Sequence, residues 1–112
     1  MPKRKPELLL NDILEAIERI QAYIAGLEFD DFAADSKTVD AVVRNLEIIG
    51  EAARQLPEDF TKLNDHIPWY QIIGIRNRII HEYFGVDISI IWKILRDDLD
   101  RFAAAIRGLE SP

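Results

Sequence analysis

Pro68-Trp69-Tyr70-Gln71-Ile72-Ile73-Gly74-Ile75-Arg76-Asn77-Arg78-Ile79-Ile80-His81-Glu82-Tyr83-Phe84-Gly85 reads as one amphipathic helix. Proline suits a first-turn position, so Pro68 opens it, and glycine suits the residue just past the end, so Gly85 stops it near Tyr83 or Phe84. On a helical projection Trp69, Ile72, Ile73, Ile79, Ile80 and Tyr83 fall on one broad apolar face. Arg76 projects from the middle of that face. A helix with such a face needs other helices to cover it, and the rest of the chain supplies them.

Working outward, the same helical period recurs. A first helix runs from Pro6 to Ala25, with Gly26 past its end and a stripe of Leu10, Ile13, Ile17, Ile20 and Ile24. A short turn of helix is expected within Phe29 to Asp35. A second long helix starts near Ser36 and stops at Leu56, before Pro57. Its stripe is Val39, Val42, Val43, Leu46, Ile49, Ala53 and Leu56. Glu58 to Asp65 predicts another short helix. Beyond Gly85, Asp87 is placed to cap a last helix carrying Ile88, Ile91, Trp92, Leu95, Leu99, Phe102 and Ile106. Nothing reads as a strand. The expected fold is all-α: an up-and-down four-helix bundle with one or two extra short helices, in one domain spanning residues 1–112.

Composition narrows the chemistry. Apolar residues make up 48% and charged residues 30% of the 112, the balance of a globular protein able to bury a core. Cysteine is absent, which removes disulfides, thiol nucleophiles and cysteine metal sites. Only His66 and His81 are present, without HExxH spacing, so no metal centre and no cofactor is expected. The apolar run Leu8-Leu9-Leu10 is too short for a signal-peptide core or a membrane span, and a cytoplasmic location is the expectation. The formal net charge of -6 argues against nucleic-acid binding through a broadly basic surface but leaves room for a local basic site.

The chemistry concentrates in Arg76, Asn77 and His81. A guanidinium stays charged and is costly to bury alone, so Arg76 either pairs with a carboxylate such as Glu47 or Glu51 on the second helix, or faces a cleft. Asn77 and His81 stand four residues apart on a neighbouring face. In the first arrangement the ion pair is structural and His81 is an ordinary rim residue. In the second, Arg76 supplies fixed positive charge and His81 a group that titrates near neutral pH, together a phosphate-binding or phosphoryl-transfer site. Tyr83 lies two turns beyond Arg76, where an aromatic ring serves a core or an interface. His66, in a polar turn, reads as surface. Asp97, Asp98 and Asp100 read as a solvated acidic face, and Trp69 and Trp92 as core or contact residues.

Arg76-Asn77-x3-His81-x-Tyr83 resembles the Arg-x4-6-His motif of HEPN domains, in the Arg-x4-His-x-Tyr form of the HepT branch. The block Arg44-Asn45-Leu46-Glu47-Ile48-Ile49-Gly50-Glu51-Ala52 resembles the second-helix signature of that branch. So do Pro68-Trp69 before the motif and Phe84-Gly85-Val86-Asp87 after it. The resemblance covers roughly residues 8–108. It implies a HEPN-like helical homodimer, with motif helices facing across the interface, that cleaves RNA without a metal ion. It implies a toxin whose antitoxin is a minimal nucleotidyltransferase, MntA, which inactivates it by AMPylation of the motif tyrosine, here Tyr83. Arg76 and His81 would be catalytic, with Asn77, Glu47 and Glu51 in support. A different class also fits: a non-catalytic nucleotide-binding or docking subunit beside a nucleotidyltransferase.

Overall fold

A computed structural model describes residues 4–85 and 87–110, with residues 80–85 and 110 described by their backbone alone. Among the described residues all regular secondary structure is helical: α1 (Pro6–Ile24), α2 (Phe29–Ala34), α3 (Ser36–Arg54), α4 (Glu58–Leu63), α5 (Trp69–Gly85), α6 (Ile88–Asp97) and α7 (Leu99–Glu110). No helix among them is long and apolar enough to cross a membrane. Helix α3 is central, with α1 packed on one side and α5 on the other, and α6 and α7 complete the bundle against α5 and α1. Helix α7 runs antiparallel to α1 and to α5. Gln21 of α1 donates to Asp100, near the start of α7, at 2.6 Å, while Glu18 lies 3.7 Å from Arg107, farther along α7. Arg101 of α7 donates to Gln71, near the start of α5, and Arg78, farther along α5, reaches Asp98.

The expected stripes form the core. Ile13, Ile17 and Ile20 of α1 and Val42, Leu46 and Ile49 of α3 are completely enclosed. Phe102 and Ile106 of α7 and Phe32 of α2 close the bundle. The two tryptophans anchor separate aromatic clusters. Trp69 is buried against Phe60 and donates its indole N–H to the Asn64 carbonyl at 3.0 Å. Trp92 is half-buried, its ring 5.0 Å from Phe32 and 6.3 Å from Phe29.

Local chemistry sets the helix ends. Asp35 caps α3 by accepting from the Thr38 N–H at 3.2 Å and its hydroxyl at 2.6 Å, and those bonds hold its carboxyl below the usual range. Asp87 caps α6, as expected, by accepting from the Ser89 N–H. Helix α3 stops at Arg54, two residues short of the expected Leu56, because the residue before a proline is driven out of the helical region. After α1 the chain turns through Gly26 at φ 78°, with nothing near its α-carbon. The strain of a side chain there is therefore purely backbone. Gly26→Ala should destabilise the fold by about 1 kcal/mol, read as a lowered urea midpoint with an unchanged slope.

Two expectations need correction. The last helix is not continuous: it breaks at Asp98 into α6 and α7. Aspartate competes with the helical backbone in a helix interior and favours helix starts, and Asp98 stands immediately before Leu99. Of the three aspartates, Asp97 and Asp100 are exposed, as expected, and Asp98 is half-buried. Asp98 accepts from Arg101 at 3.2 Å and lies 3.9 Å from Arg78, and Asp100 accepts from Gln21. The second correction concerns α5. Its buried stripe is Trp69, Ile72, Ile75 and Ile79, with Ile73 half-buried. Ile75, left out of the expected face, rotates the stripe so that Arg76 falls at its rim, exposed, instead of at its middle.

Candidate active site

The site begins at the crossing of α3 and α5. Gly50 is buried on α3, and a methyl group in its place would lie 3.2 Å from the Arg76 Cβ, 3.3 Å from the Arg76 backbone nitrogen and 3.5 Å from the Ile73 carbonyl oxygen. The missing side chain lets α5 lie directly on α3. Arg76 then roots at the contact and extends its guanidinium outward, keeping its aliphatic stem against protein and its charge in water.

It opens onto a cleft of about 540 Å³. The floor is the outer face of α3, where Arg44, Glu47, Ile48, Glu51, Ala52 and Gln55 recur at three- and four-residue spacing. Arg54 stands beside them. The chain entering α1 and its first turns give one wall through Arg4, Leu9 and Asp12, and Arg76 gives the other. Four of the eleven lining residues are arginine, against three carboxylates, in a chain with net charge -6. The lining therefore carries one formal positive charge within an acidic chain.

Two of those arginines are committed. Arg4 pairs with Asp12, and Arg54 pairs with Glu51 at 2.6 Å. Gln55 donates to the same Glu51 carboxylate at 3.4 Å. Arg54 beside Glu51 holds that carboxyl below its ordinary range, with a weaker pull from the charge on Arg76, and the Arg54 guanidinium is held above its own. Among the described residues no carboxylate comes within ion-pair distance of Arg76 or Arg44, and Glu47 has no ion-pair partner. Of the two arrangements left open for Arg76, burial against Glu47 or Glu51 is the one the structure does not show. Arg76 faces a cleft.

The structure thus brings Arg76, Glu47 and Glu51 to one cleft, and leaves Asn77 exposed on α5 outside its lining. His81 and Tyr83 are carried by the last turns of α5, but their side chains lie outside the described residues. His66 is exposed in the turn before α5, as expected. Sequence reasoning missed Arg44, Arg54 (open only as a partner of Glu47 or Glu51) and Arg4 as part of the site. A signal for the first two was present: Arg44, Glu47, Glu51 and Arg54 follow helical spacing on the polar side of α3, two acids flanked by two arginines. Arg4 could not have been placed, because its position depends on how α1 docks on α3.

With this geometry established, comparison with known proteins is informative. Residues 13–109 match the family described as Ribonuclease HepT-like. The chain is 45% identical over 97 residues to a probable ribonuclease HepT of Thermococcus cleftensis, across 87% of this chain and 88% of that protein. It is 43% identical over 114 residues to a candidate RNase of Methanocaldococcus jannaschii, across 98% of this chain and 94% of the relative. A candidate RNase of Caldanaerobacter subterraneus is 36% identical over 106 residues, covering 95% of each chain. No solved structure matches the chain significantly.

Proposed function

The chain belongs to the HepT-like ribonuclease family, and from that premise we propose that it is a metal-independent endoribonuclease whose active site is completed by a second copy of the chain. One observation carries the reading: Arg76, the arginine of the Arg-x4-His-x-Tyr motif, opens onto an arginine-rich cleft without a carboxylate partner among the described residues. A guanidinium so placed is available to a phosphate.

The reaction uses the ribose 2′-hydroxyl as nucleophile. Its oxygen forms a bond to phosphorus and the bond from phosphorus to the 5′ oxygen breaks. One base takes the 2′ proton, one acid gives a proton to the departing 5′ oxygen, and positive charge is needed on the phosphorane oxygens. Each chain supplies one motif histidine, so a two-fold pair brings two. One His81 acts as base, its counterpart as acid, and Arg76 neutralises the phosphorane. Asn77 orients His81 or the phosphate, and Glu47 and Glu51 shape the field around Arg76.

The same reading makes the protein the toxin of a pair with an MntA-like minimal nucleotidyltransferase. AMP attached to the Tyr83 hydroxyl would set an anion on the motif helix, in competition with RNA phosphate for Arg76. The full Arg-x4-His-x-Tyr match supports this.

The deciding experiment is RNA cleavage by the purified protein in EDTA, with the new ends identified. Cleavage giving 2′,3′-cyclic phosphate and 5′-hydroxyl ends is the expected result. Ends with a free 3′-hydroxyl, formed only with magnesium, would replace the mechanism. No cleavage of any RNA by a folded, unmodified dimer would favour the nucleotide-binding or docking subunit instead.

A further inference from the structure

We propose that Arg44 is a second phosphate-binding residue of the cleft, so that the protein grips the RNA strand by two phosphates, one at Arg76 and one at Arg44. The proposal rests on the ribonuclease reading and deepens it. Arg44 lies outside the Arg-x4-His-x-Tyr motif, and its own environment makes the case.

Of the four arginines lining the cleft, Arg4 and Arg54 are neutralised by Asp12 and Glu51. Arg44 and Arg76 are both exposed, and neither has an ion-pair partner among the described residues. The positive charge left uncommitted therefore sits at two points. The two side chains' points of attachment are apart: Arg44 precedes Gly50, where Arg76 roots, by six residues, about 9 Å along the axis of α3. That separation of attachment points exceeds the width of one phosphate group. It suits two successive phosphates of one strand.

Glu47 supports the same footprint. It is half-buried on the cleft floor between the two levels and has no ion-pair partner among the described residues. An ionised carboxylate repels a phosphate placed midway, and it accepts hydrogen bonds only. It suits the uncharged nucleoside between two phosphates, where an exocyclic amino group of a base can donate to it. The cleft then alternates positive, acceptor, positive along α3, the order of phosphate, nucleoside, phosphate in the strand.

The test is equilibrium binding of a single-stranded RNA made uncleavable by 2′-O-methyl groups, measured across a salt series. Wild type is compared with Arg44→Ala, Arg44→Lys and Arg19→Ala. Arg19 is an exposed arginine of α1, outside the cleft, beside Glu15. Arg44 is exposed and alanine favours helices, so Arg44→Ala should fold; a circular dichroism melt checks this. Each phosphate contact contributes about 0.7 to the slope of log affinity against log salt for a single strand. Arg44→Ala should flatten the slope by about that amount, Arg44→Lys should restore most of it, and Arg19→Ala should match wild type. Wild-type binding with a slope unchanged in Arg44→Ala would overturn the proposal and leave the ribonuclease reading standing. Absence of RNA binding by wild type would remove both.

Discussion

Replacing Arg76 with alanine should lower the rate of RNA cleavage by a factor on the order of 10²–10³ and leave the fold intact. The two halves of this expectation have separate causes. On the proposed mechanism the rate falls because the guanidinium on the cleft rim supplies a fixed positive charge against a phosphorane's extra negative charge. Removing one such preorganised donor costs about 3–4 kcal/mol of transition-state stabilisation in enzymes that depend on it. The fold survives because Arg76 is exposed and has no ion-pair partner among the described residues. Substitutions of that kind stay within about 0.5 kcal/mol of wild-type stability. Lysine should rescue only in part, since an ammonium lacks the planar fork that binds two phosphate oxygens at once. His81→Ala should fall at least as far in rate, by a factor on the order of 10²–10⁴, because in the proposed two-fold pair it removes acid and base together. Single-turnover cleavage, with a melting curve on each variant, checks both halves. A slow Arg76→Ala enzyme that has also lost its cooperative melt would mean that Arg76 is structural.

The sequence exposed the fold more fully than the site, and particular residues show why. Apolar periodicity is a local property of a helix, so the stripes of α1 and α3 could be read one helix at a time. Asp87 as a cap and Gly26 as a stop were legible for the same reason. The break at Asp98 was not, because Ile94, Leu95, Leu99 and Phe102 keep apolar spacing through it. Within the site, Arg76 stood out through its position in an apolar sequence. Its true setting depended on Ile75, which shifts the buried stripe by part of a turn. The partners on α3 are a tertiary matter. Whether Glu51 joins Arg76 or Arg54 depends on the distance across a helix crossing, against three residues along one helix. The local pair wins, at 2.6 Å.

That crossing yields the second large effect. Gly50 looks like a poor choice within a helix, where alanine is more favourable by about 1 kcal/mol. Its neighbours explain it. The Cβ of an alanine would meet the Arg76 backbone nitrogen at 3.3 Å and the Arg76 Cβ at 3.2 Å, groups that cannot turn aside as a flexible side-chain end can. Helix α5 must therefore move away by a few tenths of an ångström, carrying Arg76 with it. In Gly50→Ala the gain in propensity and the loss in packing oppose each other, so the melting temperature should change little. Catalysis has no such compensation, because a displacement of about 1 Å in a catalytic group can cost on the order of 100-fold. A smaller displacement should cost about 10-fold in cleavage while the variant stays as stable as wild type. Gly50→Leu should go further: overpacking of a close contact typically costs about 1–3 kcal/mol, and with α5 lifted from α3 cleavage should approach that of Arg76→Ala. A purely structural glycine would make activity track stability across wild type, Gly50→Ala and Gly50→Leu. Activity falling at Gly50→Ala while the melt holds would instead show that the close crossing of α3 and α5 exists to place Arg76.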